Sequence, residues 1–144
     1  MPPRIVVDTS VLVAALLRAR EGAAGSRVLR HCLHRHCQPL IGAKLFLEGE
    51  SVLARAELFR RCPLSLAERH EFFAGFAAVC EWVSVYYLWR PNLPDEGDNH
   101  ILELAVAGGA ESIVTQNIRD FRRSELRFPG IAVLTPEEFL QRLN

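Results

Sequence analysis

Lysine is nearly absent from this chain: of 17 basic residues only Lys44 is a lysine, and the rest are arginine. A phosphoacceptor signalling domain needs a lysine near its acceptor acid, and Lys44 follows a different strand pattern from Asp8, the first acid of the chain. Net charge is also missing, because 17 acidic residues balance the 17 basic ones. Bulk electrostatics therefore announce no nucleic-acid partner. No apolar run approaches the roughly 18–20 residues that cross a bilayer. The N-terminal Met1-Pro-Pro-Arg4 leads into a strand pattern rather than a signal-peptide core. These features predict a cytoplasmic protein with no membrane partner, and without a secretory signal the four cysteines are expected to be free thiols. Repeats, low-complexity tracts and linkers are absent too, so the 144 residues read as one domain, 1–144, with one substantial core.

What is present is unevenly placed. Arginines cluster at Arg18/Arg20, Arg27/Arg30/Arg35, Arg60/Arg61 and Arg119/Arg122/Arg123. They suit bidentate phosphate contacts, and compositional bias on solvated faces accounts for most of them equally well. The run His31-Cys-Leu-His-Arg-His-Cys37 has metal-binding residue types, but its spacing matches no common zinc pattern. On a helix Cys32, His34 and Cys37 do not face one point, so a helix end with packed thiols and exposed imidazoles is expected.

The periodicities alternate. A β-branched run at 5–7 ends in Asp8-Thr-Ser10 and is followed by an apolar helix over 11–17. Helix over 26–36, strand at 38–41 closed by Gly42, helix over 43–55 and a turn at 56–61 come next. Ser65 with Glu68 forms a capping-box pattern that opens a helix to Cys80. A strand is expected at 82–86, a loop at 90–94, a helix entered at Asp98, a break at Gly108-Gly109 and a strand at 112–115. A last strand at 131–134 precedes a helix over 136–143, with Pro136 in its first turn. Such alternation predicts a three-layer α/β/α fold around a central, mostly parallel sheet.

In that fold the strand carboxyl ends share one edge, where ligand groups gather. Asp8 after the first strand and Thr115, Gln116 and Asn117 after a later one belong there. A helix preceding a parallel strand starts at the same edge, which adds Asp98, and Glu48 joins if its own helix begins there. Taken singly, Asp8, Ser10 or Asp98 is as easily a helix N-cap and Glu48 a solvated helix face. Together, carboxylates crowded at one place usually persist because a cation binds them, and oxygen-only ligands suit Mg²⁺ or Mn²⁺.

The motifs Val6-Val-Asp-Thr-Ser10, Glu48 in LFLEGESVLAR, PDEGDNHILEL over 94–104 and Ala107-Gly-Gly-Ala110 occur in that order, followed by Ile113-Val-Thr-Gln-Asn-Ile-Arg-Asp-Phe121. In these the sequence resembles the PIN-domain ribonucleases, and more narrowly the toxin components of VapC-like toxin–antitoxin pairs. The resemblance implies a PIN-like fold and a metal-dependent endoribonuclease that cleaves single-stranded RNA. It also implies an antitoxin protein partner and a homodimer. The family acids map to Asp8, Glu48 and Asp98, with Thr115 and Ser10 as small polar helpers. At the fourth acidic position this chain has Asn117, which adds no charge, and Asp95 or Asp120 is placed to compensate. Asp8 and Asp98 are expected to bind the ion directly and Glu48 to bind it or position water. Asn117 and Thr115 orient water or ligands; Arg119, Arg122 and Arg123 hold RNA phosphates or form a solvated helix face. A catalytically silent PIN-like binding module is the alternative that Asn117 keeps open. A haloacid-dehalogenase-like phosphatase would need an acid where Ser10 stands.

Overall fold

Among the described residues five short strands form, each parallel to its neighbours. The structure, a computed structural model, describes residues 1–18, 23–85 and 99–143, apart from the side chains of 123, 124, 126 and 127. The expected loop at 90–94, the acids Asp95 and Asp98, and the side chain of Arg123 lie outside the described residues. Strand β1 is Arg4–Val7, β2 Gln38–Ile41, β3 Glu81–Trp82, β4 Ser112–Val114 and β5 Ala132–Leu134. The helices among the described residues are α1 Thr9–Leu17, α2 Ala24–Leu33, α3 Ala43–Leu53, α4 Leu66–Val79, α5 Asn99–Gly108, α6 Ile118–Arg127 and α7 Pro136–Leu143.

Sheet order is β3-β2-β1-β4-β5, so β1 lies in the middle, with Val6 opposite Leu40 of β2 and Ile113 of β4. The chain winds outward from β1 through β2 to β3, then returns to the other side of β1 for β4 and β5. Right-handed crossovers in opposite directions place helices on both faces, giving the α/β/α layering. They also create a switch point between β1 and β4, where the loops after the two strands part and leave a crevice. Ile5, Val6, Leu40, Ile113 and Val133 are fully buried, as expected of strands covered on both sides.

Local chemistry sets several boundaries. Ser65 and Glu68 exchange both capping-box bonds at the start of α4, at 3.1 and 2.8 Å. The third strand is shorter than its sequence pattern. Among the described residues it pairs only with β2, which ends at Ile41, opposite Trp82. Helix α6, anticipated only in the alternative of a solvated helix face for Arg119, Arg122 and Arg123, forms because Ile118 and Phe121 lie three residues apart on one face and Phe121 is fully buried. Its Glu125 accepts the Val133 backbone N–H of edge strand β5 at 2.8 Å.

Helices α3 and α4 meet closely at Gly49, where an added Cβ would run into the Phe73 ring. Gly49→Ala is therefore expected to cost about 1–3 kcal/mol through overpacking, read as a lower urea midpoint at unchanged m-value. An unchanged midpoint would mean that Phe73 swings away freely.

Candidate functional site

Asp8 is the first residue after the central strand. Its N–H donates to the Val114 carbonyl at 2.9 Å, continuing the β1/β4 ladder by one rung. It stands at the N-cap position of α1, yet its side chain makes no capping bond. The carboxylate is used otherwise: Oδ2 accepts hydrogen bonds from Ser10 Oγ and from Thr115 Oγ1, both at 2.7 Å. These hydroxyls in turn accept the N–H groups of Gln116, at 3.1 Å, and Asn117, at 2.9 Å. A hydroxyl has one proton, and with a lone pair of each oxygen committed to a backbone donor, that proton is directed at Asp8. Asp8 is 4% exposed. Burial pushes its pKa above the usual aspartate value, more than the Ser10 and Thr115 bonds pull it down, and the charge of Glu48 adds to the rise.

Glu48 projects from α3 and is half-buried. Its Oε1 accepts from Thr9 Oγ1 and its Oε2 meets His100 Nε2, each at 2.7 Å. Burial would raise its pKa, but the His100 and Thr9 bonds together outweigh that and hold the carboxyl below its usual range. The two acids thus move in opposite directions from their ordinary values, Asp8 upward and Glu48 downward. Sequence reasoning passed over Thr9 and His100. Thr9 is the unused hydroxyl of the Asp8-Thr-Ser10 triplet. His100 stands two residues after Asp98, where the signal was an imidazole at the start of an otherwise apolar helix.

Asp8, Ser10, Glu48, Gln116 and Asn117 line one cleft of about 410 Å³, whose apolar wall includes Val13 and Leu17 of α1 and Val52 of α3. Asn117 is exposed on this cleft. Thr115 is fully buried and acts through Asp8. Asp120, in the first turn of α6, does not line the cleft; its N–H donates to the Asn117 carbonyl at 3.2 Å. Arg119 is exposed in the same turn, whereas Arg122 pairs with Glu138 at 3.1 Å on the surface.

The profile of the PIN domain family matches residues 4–119, most of the chain. The chain belongs to the PIN domain family. The matched stretch runs from the first residue of β1 into the first turn of α6 and contains Asp8, Glu48, Asp98, Thr115 and Asn117. PIN domains are in general nucleases that use divalent metal ions, and at that level this PIN domain is a nuclease fold. Its architecture is similar to that of VapBC2 from Rickettsia felis bound to a DNA fragment from their promoter, with TM-score 0.57, 15% identity, and 90% of this chain and 96% of that one covered. It is also similar to PAE2754 from Pyrobaculum aerophilum, with TM-score 0.60, 17% identity, and 98% and 89% covered. At these identities the likeness is one of fold. No curated protein is similar enough in sequence to count as a relative.

The donor chemistry of the cleft fits a hard cation. Asp8 and Glu48 offer carboxylate oxygens, and Asp8 is a buried carboxylate with two hydroxyl donors and, among the described residues, no basic side chain bonded to it. No three His, Cys, Asp or Glu side chains among the described residues come close enough together to hold an ion on their own. A third oxygen donor is therefore required. The sequence offers Asp98, immediately before buried Asn99, whose Oδ1 has no hydrogen-bond partner.

Proposed function

We propose that this PIN domain is a Mg²⁺- or Mn²⁺-dependent endoribonuclease that hydrolyses phosphodiesters of single-stranded RNA, and that it is the toxin of a toxin–antitoxin pair. The observation that carries this reading is the pair Asp8 and Glu48 on one cleft at the β1/β4 switch point, with Asp8 desolvated and fixed by two hydroxyls. Asp8, Glu48 and Asp98 hold the ion, with Asn117 an uncharged fourth donor. The resemblance to VapC-like toxins, together with the similar fold of VapBC2, supports an antitoxin that covers the cleft and a homodimer of this chain.

A bound divalent ion supplies Lewis acidity at the phosphoryl oxygens and a hydroxide at neutral pH. The protein supplies orientation. Ser10 and Thr115 lock the rotamer of Asp8, so its carboxylate presents one fixed geometry to the cleft. Thr9 and His100 do the same for Glu48, whose remaining lone pairs accept a hydrogen bond from the attacking water. Val13, Leu17 and Val52 form the apolar wall of the cleft. Arg119 is exposed beside the Asn117 turn, which supports a role in meeting a backbone phosphate of the bound strand.

The deciding experiment is Mn²⁺-dependent cleavage of a single-stranded RNA by the wild type and by Asp98→Asn. Loss of cleavage with an unchanged circular dichroism spectrum is expected; full activity in the variant would sink the assignment of Asp98. Asn117→Asp examines the missing charge. Restoring an acid at this exposed cleft position should tighten Mn²⁺ binding roughly tenfold by calorimetry, the effect of about 1.4 kcal/mol of added attraction. Unchanged affinity would remove position 117 from the ligand set and favour a silent binding module.

A further inference from the structure

The His31–Cys37 segment is used by none of this chemistry. It lies at the other end of the sheet, since Cys37 precedes Gln38, the partner of Arg4 at the start of β1, whereas Asp8 follows the end of that strand. The turn between α2 and β2 closes with Arg35 N–H donating to the Cys32 carbonyl at 3.1 Å and His36 N–H to the His31 carbonyl at 2.9 Å. Arg35 between them has φ 61°. This bond pattern with a left-handed residue is a Schellman closure, which brings the last turn of the helix back over the residues that follow it. Cys32 and Cys37 are thereby folded against each other on the inner side, 1% and 2% exposed, with their sulfurs 3.5 Å apart.

We propose that Cys32 and Cys37 are a redox-responsive thiol pair that closes to an intramolecular disulfide within the folded chain. The sulfurs must approach by roughly 1.5 Å to reach bonding distance, which side-chain rotation with a small adjustment of the turn supplies. The other two thiols are differently engaged: Cys80 donates to the Phe76 carbonyl at 3.3 Å and Cys62 to the Leu16 carbonyl at 3.7 Å. A metal is the competing use of this segment, but among the described residues no three ligating side chains converge here. The exposed side of the turn carries instead a direct contact between His31 Nδ1 and His36 Nδ1 at 2.8 Å, in which one ring donates to the other.

The pair is chemically asymmetric. Either sulfur can donate in this contact; the thiol that accepts the bond has its pKa lowered, and the donor, with burial, has its raised. With Cys37 as the acceptor, it is the nucleophile and Cys32 the resolving thiol. The oxidant is a small hydroperoxide. The Cys37 thiolate attacks one peroxide oxygen and breaks the O–O bond, giving a sulfenic acid and a hydroxide that takes up the proton Cys37 released. Cys32 sulfur then attacks the Cys37 sulfur, the S–O bond breaks, and the sulfenic oxygen leaves as water with the Cys32 proton. Two thiols lose two electrons in all, and one hydrogen peroxide becomes two waters. Because both sulfurs are buried, the rate follows opening of the α2 end.

The folded full chain is treated with hydrogen peroxide, then denatured and alkylated. The expected product is lighter than the reduced chain by two hydrogens, takes up two alkyl groups instead of four, gives a linked peptide containing Cys32 and Cys37, and reverts with dithiothreitol. Cys80→Ser, which leaves the pair intact, should give the same link. The oxidised chain should also melt above the reduced one, because the bond restricts the unfolded chain. Four alkylated cysteines after peroxide, a link through Cys62 or Cys80, or a sulfinic acid on Cys37 would each overturn the pairing. A lower melting point would show that the native turn does not accommodate the bond.

Discussion

Asp8→Asn is expected to reduce RNA cleavage by about a thousandfold or more while making the metal-free protein harder to unfold. The loss follows from removing a metal-holding carboxylate, since a bound ion contributes several kcal/mol to the transition state and each 1.4 kcal/mol is roughly tenfold in rate. The gain follows from the burial of Asp8, which raises its folded-state pKa above that of an aspartate in the unfolded chain. The native state then holds this proton more tightly than the unfolded state does. Stability that rests on the neutral carboxyl is fully present below the unfolded pKa and is lost as pH rises through the raised folded one. As pH rises the wild type takes on this penalty, and an asparagine, which never ionises, escapes it. The thermal midpoint of the variant should therefore exceed that of the wild type at pH 7, with the gap closing as pH falls below the ordinary aspartate range. Mn²⁺ should raise the wild-type midpoint by mass action and leave the variant nearly unmoved. Wild-type cleavage by the variant would take Asp8 out of the site. A variant that melts lower at pH 7 would mean that the Ser10 and Thr115 bonds to an anionic Asp8 outweigh its desolvation.

Arg69→Ala should be among the most destabilising single changes, and it lies away from the cleft. Arg69 is buried on α4; its Nε donates to the Leu53 carbonyl at 2.8 Å and its Nη1 to the Leu64 carbonyl at 3.0 Å. Its guanidinium also lies over the Phe59 ring, 4.8 Å from the centroid. One side chain thus ties the end of α3, the turns after it and the entry to α4. Truncation leaves two carbonyls without their donors and a cavity beside Phe59, at a cost of about 3–5 kcal/mol. For a chain of this size that corresponds to a fall in Tm of roughly 10–20 °C. Arg69→Lys should recover only part of it, because a single ammonium cannot reproduce the two-pronged fork. A fall of only a degree or two for Arg69→Ala would show that water replaces the guanidinium.

Position along the chain explains which parts of the site could be read from residues alone. The position of Asp8 was legible because a β-branched run ending before an apolar helix marks a strand end, although the residue alone reads as easily as a helix cap. Ser65 with Glu68 was legible as a cap because its hydrogen bonds span three residues. The helix over Ile118–Arg127 was not, since its two apolar anchors are separated by charged residues and it is held by a contact of Glu125 with a strand that comes later. Thr9 and His100 were missed for a related reason. They meet on Glu48 from α1 and α5, and local sequence has no term for a contact 39 or 52 residues away.

The sequence by itself determined the alternation of strands and helices, the parallel sheet that alternation requires, and the carboxyl-edge positions of Asp8, Thr115 and Asn117, because periodicity and strand ends are local properties. Tertiary structure decided the environment of each acid. It made Asp8 a buried carboxylate held by hydroxyls rather than a helix cap, and it made Glu48 a partner of Thr9 and His100 rather than a solvated helix face. Desolvation and hydrogen-bond partners depend on what the fold brings together, and these set the charge, orientation and proton affinity of a carboxylate.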